Sequence, residues 1–207
     1  MNDFQDFTAY LSLPRVSDLA LSPDGTRLVA TIGALNEDGN EFVNALWEID
    51  PAGIEDARRL TRSKKGESGP AIAADGSVLF TSKRDVEDDD DPPALWQLPA
   101  GGGEARRVLE RPGGIDAVAA AADCTAIAVA TSVLPGSGDA EADEQRRKAR
   151  KDAKVSAILH TASPVRHWDH DLGTEKRHPP ARSAPVREEG ANEPRDPQPA
   201  PGHAPDE

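Results

Sequence analysis

The chain has 207 residues, with 37 acidic against 24 basic side chains and a formal net charge of −13. That length allows one or two domains, and the single Cys124 excludes a disulfide framework or an all-cysteine metal site. The acidic balance argues against a nucleic-acid partner gripped mainly through its phosphates.

Residues Met1 to Asp6 have neither the basic start nor the apolar core of a secretory signal. No run of about 18 apolar residues follows, so no membrane span is expected and a reducing cytoplasm is the expected compartment. The first structural signal is Ser22-Pro23-Asp24-Gly25, set between Leu19-Ala20-Leu21 and Leu28-Val29-Ala30. Pro presets φ at the second turn position and Gly accepts the left-handed conformation, so the segment predicts two strands joined by a tight hairpin. A third strand is expected at Ala45-Leu46-Trp47-Glu48-Ile49, where Trp47 alternates with polar neighbours. Pro51-Ala52-Gly53 then turns the chain into Arg58-Arg59-Leu60-Thr61.

The same order returns. Ala71-Ile72-Ala73-Ala74-Asp75-Gly76-Ser77-Val78-Leu79-Phe80 repeats the first hairpin, and Ala94-Leu95-Trp96-Gln97-Leu98 repeats the Trp strand 49 positions on. Pro99 to Gly103 repeats the turn, and Arg106-Arg107-Val108-Leu109 the last strand. Val118 to Val129 opens a third copy, with Cys124 where Gly is expected. Cys124 reads as a small residue in a looser turn, because no cationic or helix-terminal setting that would activate its thiol is visible. Asp24, Asp75 and Asp123 are spaced by 51 and 48 residues. A period of 40–50 residues with several strands per unit is the signature of propeller blades. The predicted fold is therefore all-β, a partial β-propeller of about three WD40-like blades.

Two insertions interrupt the repeat. Asp85 to Pro93 carries six carboxylates within seven residues. It lacks the Gly turn and late Glu of a calcium loop, so it reads as a solvated, self-repelling loop. The second runs from about Gly138 to Val155, and Asp139 to Lys154 within it is strongly helix-forming. Asp143–Arg147 and Glu144–Lys148 are favourable i,i+4 pairs, with acids early and bases late to suit the helix dipole. With almost no apolar face, the helix is expected to be a solvent-exposed excursion. Its Arg146, Arg147, Lys148, Arg150 and Lys151 do not read as a nucleic-acid grip beside so many acids.

Val155 to Leu159 returns to strand character, and a polar stretch from His160 to Gly173 follows. His167, Asp169, His170 and Asp171 invite a metal reading. A strand sends neighbouring side chains to opposite faces, so their density does not make a coordination sphere. No metal site, catalytic residue or cofactor site is assigned. From Thr174 to Glu207 the only large aliphatic residue is Val186, and eight of the 18 prolines fall there. Such a composition cannot offset its ordering entropy, so 174–207 is expected to be a disordered Pro-rich tail after a 1–173 incomplete propeller. Pro194 and Pro197 stand in P-x-x-P spacing, a pattern common by chance at this proline density.

The Ser22-Pro23-Asp24-Gly25 turn, the charged helix and the stretch Pro164-Val165-Arg166-His167-Trp168-Asp169-His170-Asp171-Leu172-Gly173 together resemble the prolyl oligopeptidase family of serine peptidases. The similarity is to its bacterial acylaminoacyl-peptidase and dipeptidyl-aminopeptidase-like members in particular. The opening from Tyr10 to Gly25 is similar to theirs too, and the resemblance covers roughly residues 7–173. It implies an N-terminal propeller, usually of seven or eight blades, ahead of an α/β-hydrolase domain with a Ser-Asp-His triad. In that family the propeller restricts access, so that peptides rather than folded proteins reach the nucleophile. Here no G-x-S-x-G elbow is present; Gly66-Glu67-Ser68-Gly69-Pro70 fails at its last position. The expectation is a peptidase propeller portion without its catalytic domain, inactive alone. From the abrupt end of the resemblance near Gly173, ahead of a tail rich in Pro, Ala, Arg, Gly and Glu, a truncation or frameshift in a GC-rich gene is the expectation. A stand-alone interaction module, or half of a split peptidase completed by a separately encoded hydrolase half or by self-association, is the alternative. Three blades cannot close a propeller, so exposed blade faces and marginal stability are expected.

Overall fold

Ser22 to Arg27 forms the expected hairpin turn in the computed structural model, which describes residues 6–86, 91–123, 126–160, 163–168, 170–173 and 175–183. Gly25 sits at φ +73° and donates its N–H to the Ser22 carbonyl at 2.9 Å. The Asp24 carboxylate accepts from Ser22 Oγ and from the N–H and hydroxyl of Thr26. These bonds, the Ser22 hydroxyl first, lower its pKa to about 2. The turn is thus held by its own side chains, as its composition requires.

A short helix α1 (Phe7–Leu11), capped by the Asp6 carboxylate on the Thr8 N–H, precedes the first sheet. Blade 1 is antiparallel, in the order β1 (Arg15–Leu21), β2 (Leu28–Leu35), β3 (Phe42–Ile49) and β4 (Arg58–Arg59). Blade 2 repeats that order with β5 (Glu67–Ile72), β6 (Val78–Ser82), β7 (Ala94–Leu98) and β8 (Arg106–Leu109). Blade 3 begins with β9 (Ala117–Ala120) and β10 (Ile127–Val133). Among the described residues the chain is all-β apart from α1 and one longer helix, α2 (Ala140–Asp152).

The sheets stack face to face, and the period-2 alternation of strands decides how. Val78 and Phe80 of β6, with Trp96 and Leu98 of β7 and Ile72 of β5, point toward blade 1 and meet Val29 and Leu46. Leu79 and Leu95 point the other way and meet Ile115, Ile127 and Val129 of blade 3. Blade 2 is sandwiched, so every residue of β6 and β7 is buried. This explains the near-continuous apolar runs Val78-Leu79-Phe80 and Ala94-Leu95-Trp96. Full burial of each large side chain contributes about 1.5–3 kcal/mol. The first strands lie together at one end of the stack, β1 against β5 and β5 against β9.

Blade 3 departs from the repeat. After β10 the chain runs through α2 and a small hairpin of β11 (Arg166–His167) and β12 (His170–Asp171). Only then does it return as β13 (Lys176–Ser183), which pairs antiparallel with β10. That strand lies inside the segment assigned by composition to a disordered tail. The composition carries no information about the partner backbone that β10 offers. Its Pro179 and Pro180, which cannot donate to a ladder, fall where the register shifts between Val129 and Thr131. The rest of the Pro-rich segment, with Pro194 and Pro197, lies outside the described residues, as do Cys124 and positions 87–90 of the acidic loop.

Candidate functional site

Polar side chains bind one blade to the next. On the blade-1 face that meets blade 2, Arg27 donates from Nε to Glu48 Oε1 at 2.5 Å, and from Nη1 to the Gly76 carbonyl in the blade-2 hairpin turn. Arg58 donates to the other Glu48 oxygen. Burial works against ionisation of Glu48, but the hydrogen bonds from Arg58 and Arg27 outweigh it and hold its pKa below the ordinary carboxylate value.

A second latch runs through Glu67, which is 1% exposed at the start of β5. Thr61 Oγ1 accepts the Leu46 N–H at 2.9 Å and donates to Glu67 Oε2 at 2.8 Å. The Ser63 N–H donates to Glu67 Oε1 at 3.0 Å. The carboxylate therefore joins the third strand of blade 1 to the first strand of blade 2. Desolvation dominates its ionisation and pushes its pKa up, against the hydrogen bonds from Thr61 and Ser63 and the charges of Arg84 and Arg59. Beside it, Ser82 Oγ donates to the Gly66 carbonyl and Trp96 Nε1 to the Ser82 carbonyl, with Arg84 stacked 5.2 Å from the Trp96 ring.

Helix α2 spans nearly the predicted residues, but it is not a free excursion. Asp143, 2% exposed, accepts the Leu134 N–H at 2.7 Å and the Arg147 Nε at 2.7 Å. Arg147 also donates to the Ser132 carbonyl and to Glu175, immediately ahead of β13. An i,i+4 pair that sequence reading places on a solvated face is thus the clamp that fixes the helix to blade 3. Arg147 is held protonated: burial opposes its charge, but Asp143 and Glu175 more than compensate.

The sequence's chemical candidates do not converge. Ser68, in the elbow-like Gly66 to Pro70, lies in strand β5, with its hydroxyl 3.4 Å from Thr81 Oγ1. A nucleophile elbow needs a sharp strand-to-helix turn instead. His167 pairs across the hairpin with His170, Trp168 at its tip is 91% exposed, and Asp169 lies outside the described residues. Among the described residues no three His, Cys, Asp or Glu side chains come together as a metal would require. No described helix is long and apolar enough to cross a membrane. Among the described residues the arrangement is a stack of sheets joined by polar seams.

No family model matches the chain. It is 28% identical over 151 residues to the uncharacterized peptidase YuxL of Bacillus subtilis (strain 168), covering 72% of this chain and 21% of that protein. Among solved structures it is similar to the Pyrococcus horikoshii acylaminoacyl peptidase, with a TM-score of 0.52 at 14% identity, over 77% of this chain and 21% of the other. The AtxE2 isopeptidase matches with a TM-score of 0.50 at 16% identity, over 85% of this chain and 29% of the other. The chain has a propeller-type fold and is similar in sequence to a peptidase. It spans about a fifth of the length of the curated relative it matches. At such low identity the two solved structures speak for the fold.

Proposed function

We propose that the chain serves as the access-controlling propeller portion of a serine peptidase acting on peptides of the acylaminoacyl or dipeptidyl type. The observation that carries this reading is the similarity of 151 residues to a peptidase, across the blades themselves. The physical case rests on the seams. Blades clamped through Arg27–Gly76 and Glu67–Thr61 form a stiff wall, and a stiff wall of sheets excludes folded polypeptide while leaving a passage for an extended one. In this reading the nucleophile belongs to a hydrolase unit outside these 207 residues, since they contain no G-x-S-x-G elbow.

The test is a chimera in which residues 7–173 replace the matching region of the Bacillus subtilis relative. Cleavage of short chromogenic peptides with folded protein substrates left intact is the expected result. Equal attack on both, in a chimera that is folded and active, would refute the access role. The reading as a stand-alone interaction module is favoured by a different observation, the exposure of Leu19 and Leu21 on blade 1 among the described residues.

A further inference from the structure

We propose that the seam between blades 1 and 2 is a pH-sensitive joint, tight while Glu67 carries a proton and loosened once it ionises, with an apolar contact at the matching place between blades 2 and 3. This inference stands on blade geometry and does not depend on the peptidase reading. It is carried by where Glu67 sits and by what replaces it one repeat later.

Glu67 opens β5, the first strand of blade 2, and its two oxygens accept from Thr61 and Ser63 on the chain leaving blade 1. Thr61 in turn accepts the Leu46 N–H, so the carboxyl is tied to β3. At 1% exposure it lies out of reach of bulk solvent. The Thr31 hydroxyl lies on the same face, across the ladder from Leu46; it is fully buried and has no hydrogen-bond partner among the described residues. This seam therefore holds polar groups with few partners to spare.

An ionised carboxylate needs water or a counter-charge in contact with it. The charges that act on Glu67 are those of Arg84 and Arg59, and each is engaged elsewhere. Arg59 donates from Nε to the Thr61 carbonyl, while Arg84 stacks on Trp96 and pairs with Glu104 at 3.6 Å. Of the other ionisable side chains on strands packed against β5, Arg15 and Asp18 of β1 are exposed, and Glu48 of β3 is paired with Arg27 and Arg58. Lys65, two residues ahead of Glu67, is also exposed. Burial keeps the proton on Glu67 to a higher pH than on a glutamate in water. Above that pH, parting the blades hydrates the carboxylate, so ionisation favours the open seam.

The repeat supplies the control. Leu109 and Ile115 stand 48 positions after Thr61 and Glu67. Ile115 is fully buried and packs in one cluster with Leu95, the counterpart of Leu46, and with Leu109. A hydrogen-bonded carboxyl in one seam is an aliphatic contact in the next, and an aliphatic contact does not titrate.

Hydrogen exchange on the full chain from about pH 4 to about pH 8, corrected for the intrinsic pH dependence of exchange, separates the two seams. The reporters are the N–H groups of Leu46 and Ser63 in the first seam and of Ile115, bonded to the Pro93 carbonyl, in the second. Protection at Leu46 and Ser63 is expected to fall by up to about tenfold per pH unit above 4.5 and to level off past the folded pKa of Glu67. Protection at Ile115 is expected to stay flat. Glu67→Gln cannot ionise and should make Leu46 and Ser63 flat as well. Should that variant lose the fold, Thr61→Leu combined with Glu67→Ile copies the Leu109–Ile115 pair and should do the same. Wild-type protection at Leu46 and Ser63 that is flat with pH, a pH dependence that survives in the folded variant, or a fall shared equally by Ile115 would each overturn the proposal.

Discussion

Removing the Glu67 side chain tests whether a buried carboxylate holds blades 1 and 2 together. Glu67→Ala leaves the Thr61 hydroxyl and the Ser63 N–H without their acceptors, at a site where Thr61 is 4% exposed. An unsatisfied buried donor costs about 1–3 kcal/mol, and the wild-type carboxylate's own desolvation offsets part of the loss, so about 3 kcal/mol is expected for the pair. With a denaturant slope of about 2 kcal/mol per molar urea, the unfolding midpoint drops by about 1.5 M. The pH dependence carries a second check. The folded pKa of Glu67 lies above the ordinary glutamate value of 4.5, so the native state binds the proton more tightly than the unfolded state. Its contribution to stability is full below pH 4.5 and declines as pH rises through the folded pKa. Glu67→Gln never ionises, so its stability relative to wild type should rise from pH 4.5 toward neutrality. A midpoint shift under about 0.5 M for Glu67→Ala, or a Glu67→Gln difference that is flat with pH, would refute the reasoning.

Other sites give sharper local outcomes. Phe80→Ala opens the seam between blades 1 and 2 and should cost about 3–5 kcal/mol in chemical denaturation. Gly113→Ala would set a Cβ 1.8 Å from the Ser132 carbonyl oxygen, so a loss of about 3 kcal/mol is expected. Asp143→Ala releases the Leu134 N–H and Arg147 together. Hydrogen exchange should then show residues 140–152 losing protection while β6 and β7 keep theirs, since α2 has little apolar surface to hold it in place.

Blades 1 and 2 were legible because their markers are local. An Asp-Gly turn and a Trp strand each report their own conformation, although Gln97 beside the buried Trp96 is buried as well, because blade 2 is covered on both faces. Blade 3 was legible only in its first two strands. Its third strand, β13, begins 43 positions after β10 ends, in a segment whose prolines argue against a ladder. Only the pairing with β10 reveals it. The polar seams were hidden for a related reason. Glu67 reads as one more acid in a chain of 37 acidic residues, and its burial depends on Thr61 and Leu46 from the neighbouring blade. Asp143–Arg147 was visible as a helical pair, but its role as a clamp depends on the distant Leu134 and Glu175.

The most direct measurement of the central claim is turnover of chromogenic aminoacyl and acyl-aminoacyl substrates by the purified chain, alongside labelling by a fluorophosphonate probe for activated serine. The account predicts neither turnover nor labelling by the chain alone. Turnover abolished by Ser68→Ala would contradict it.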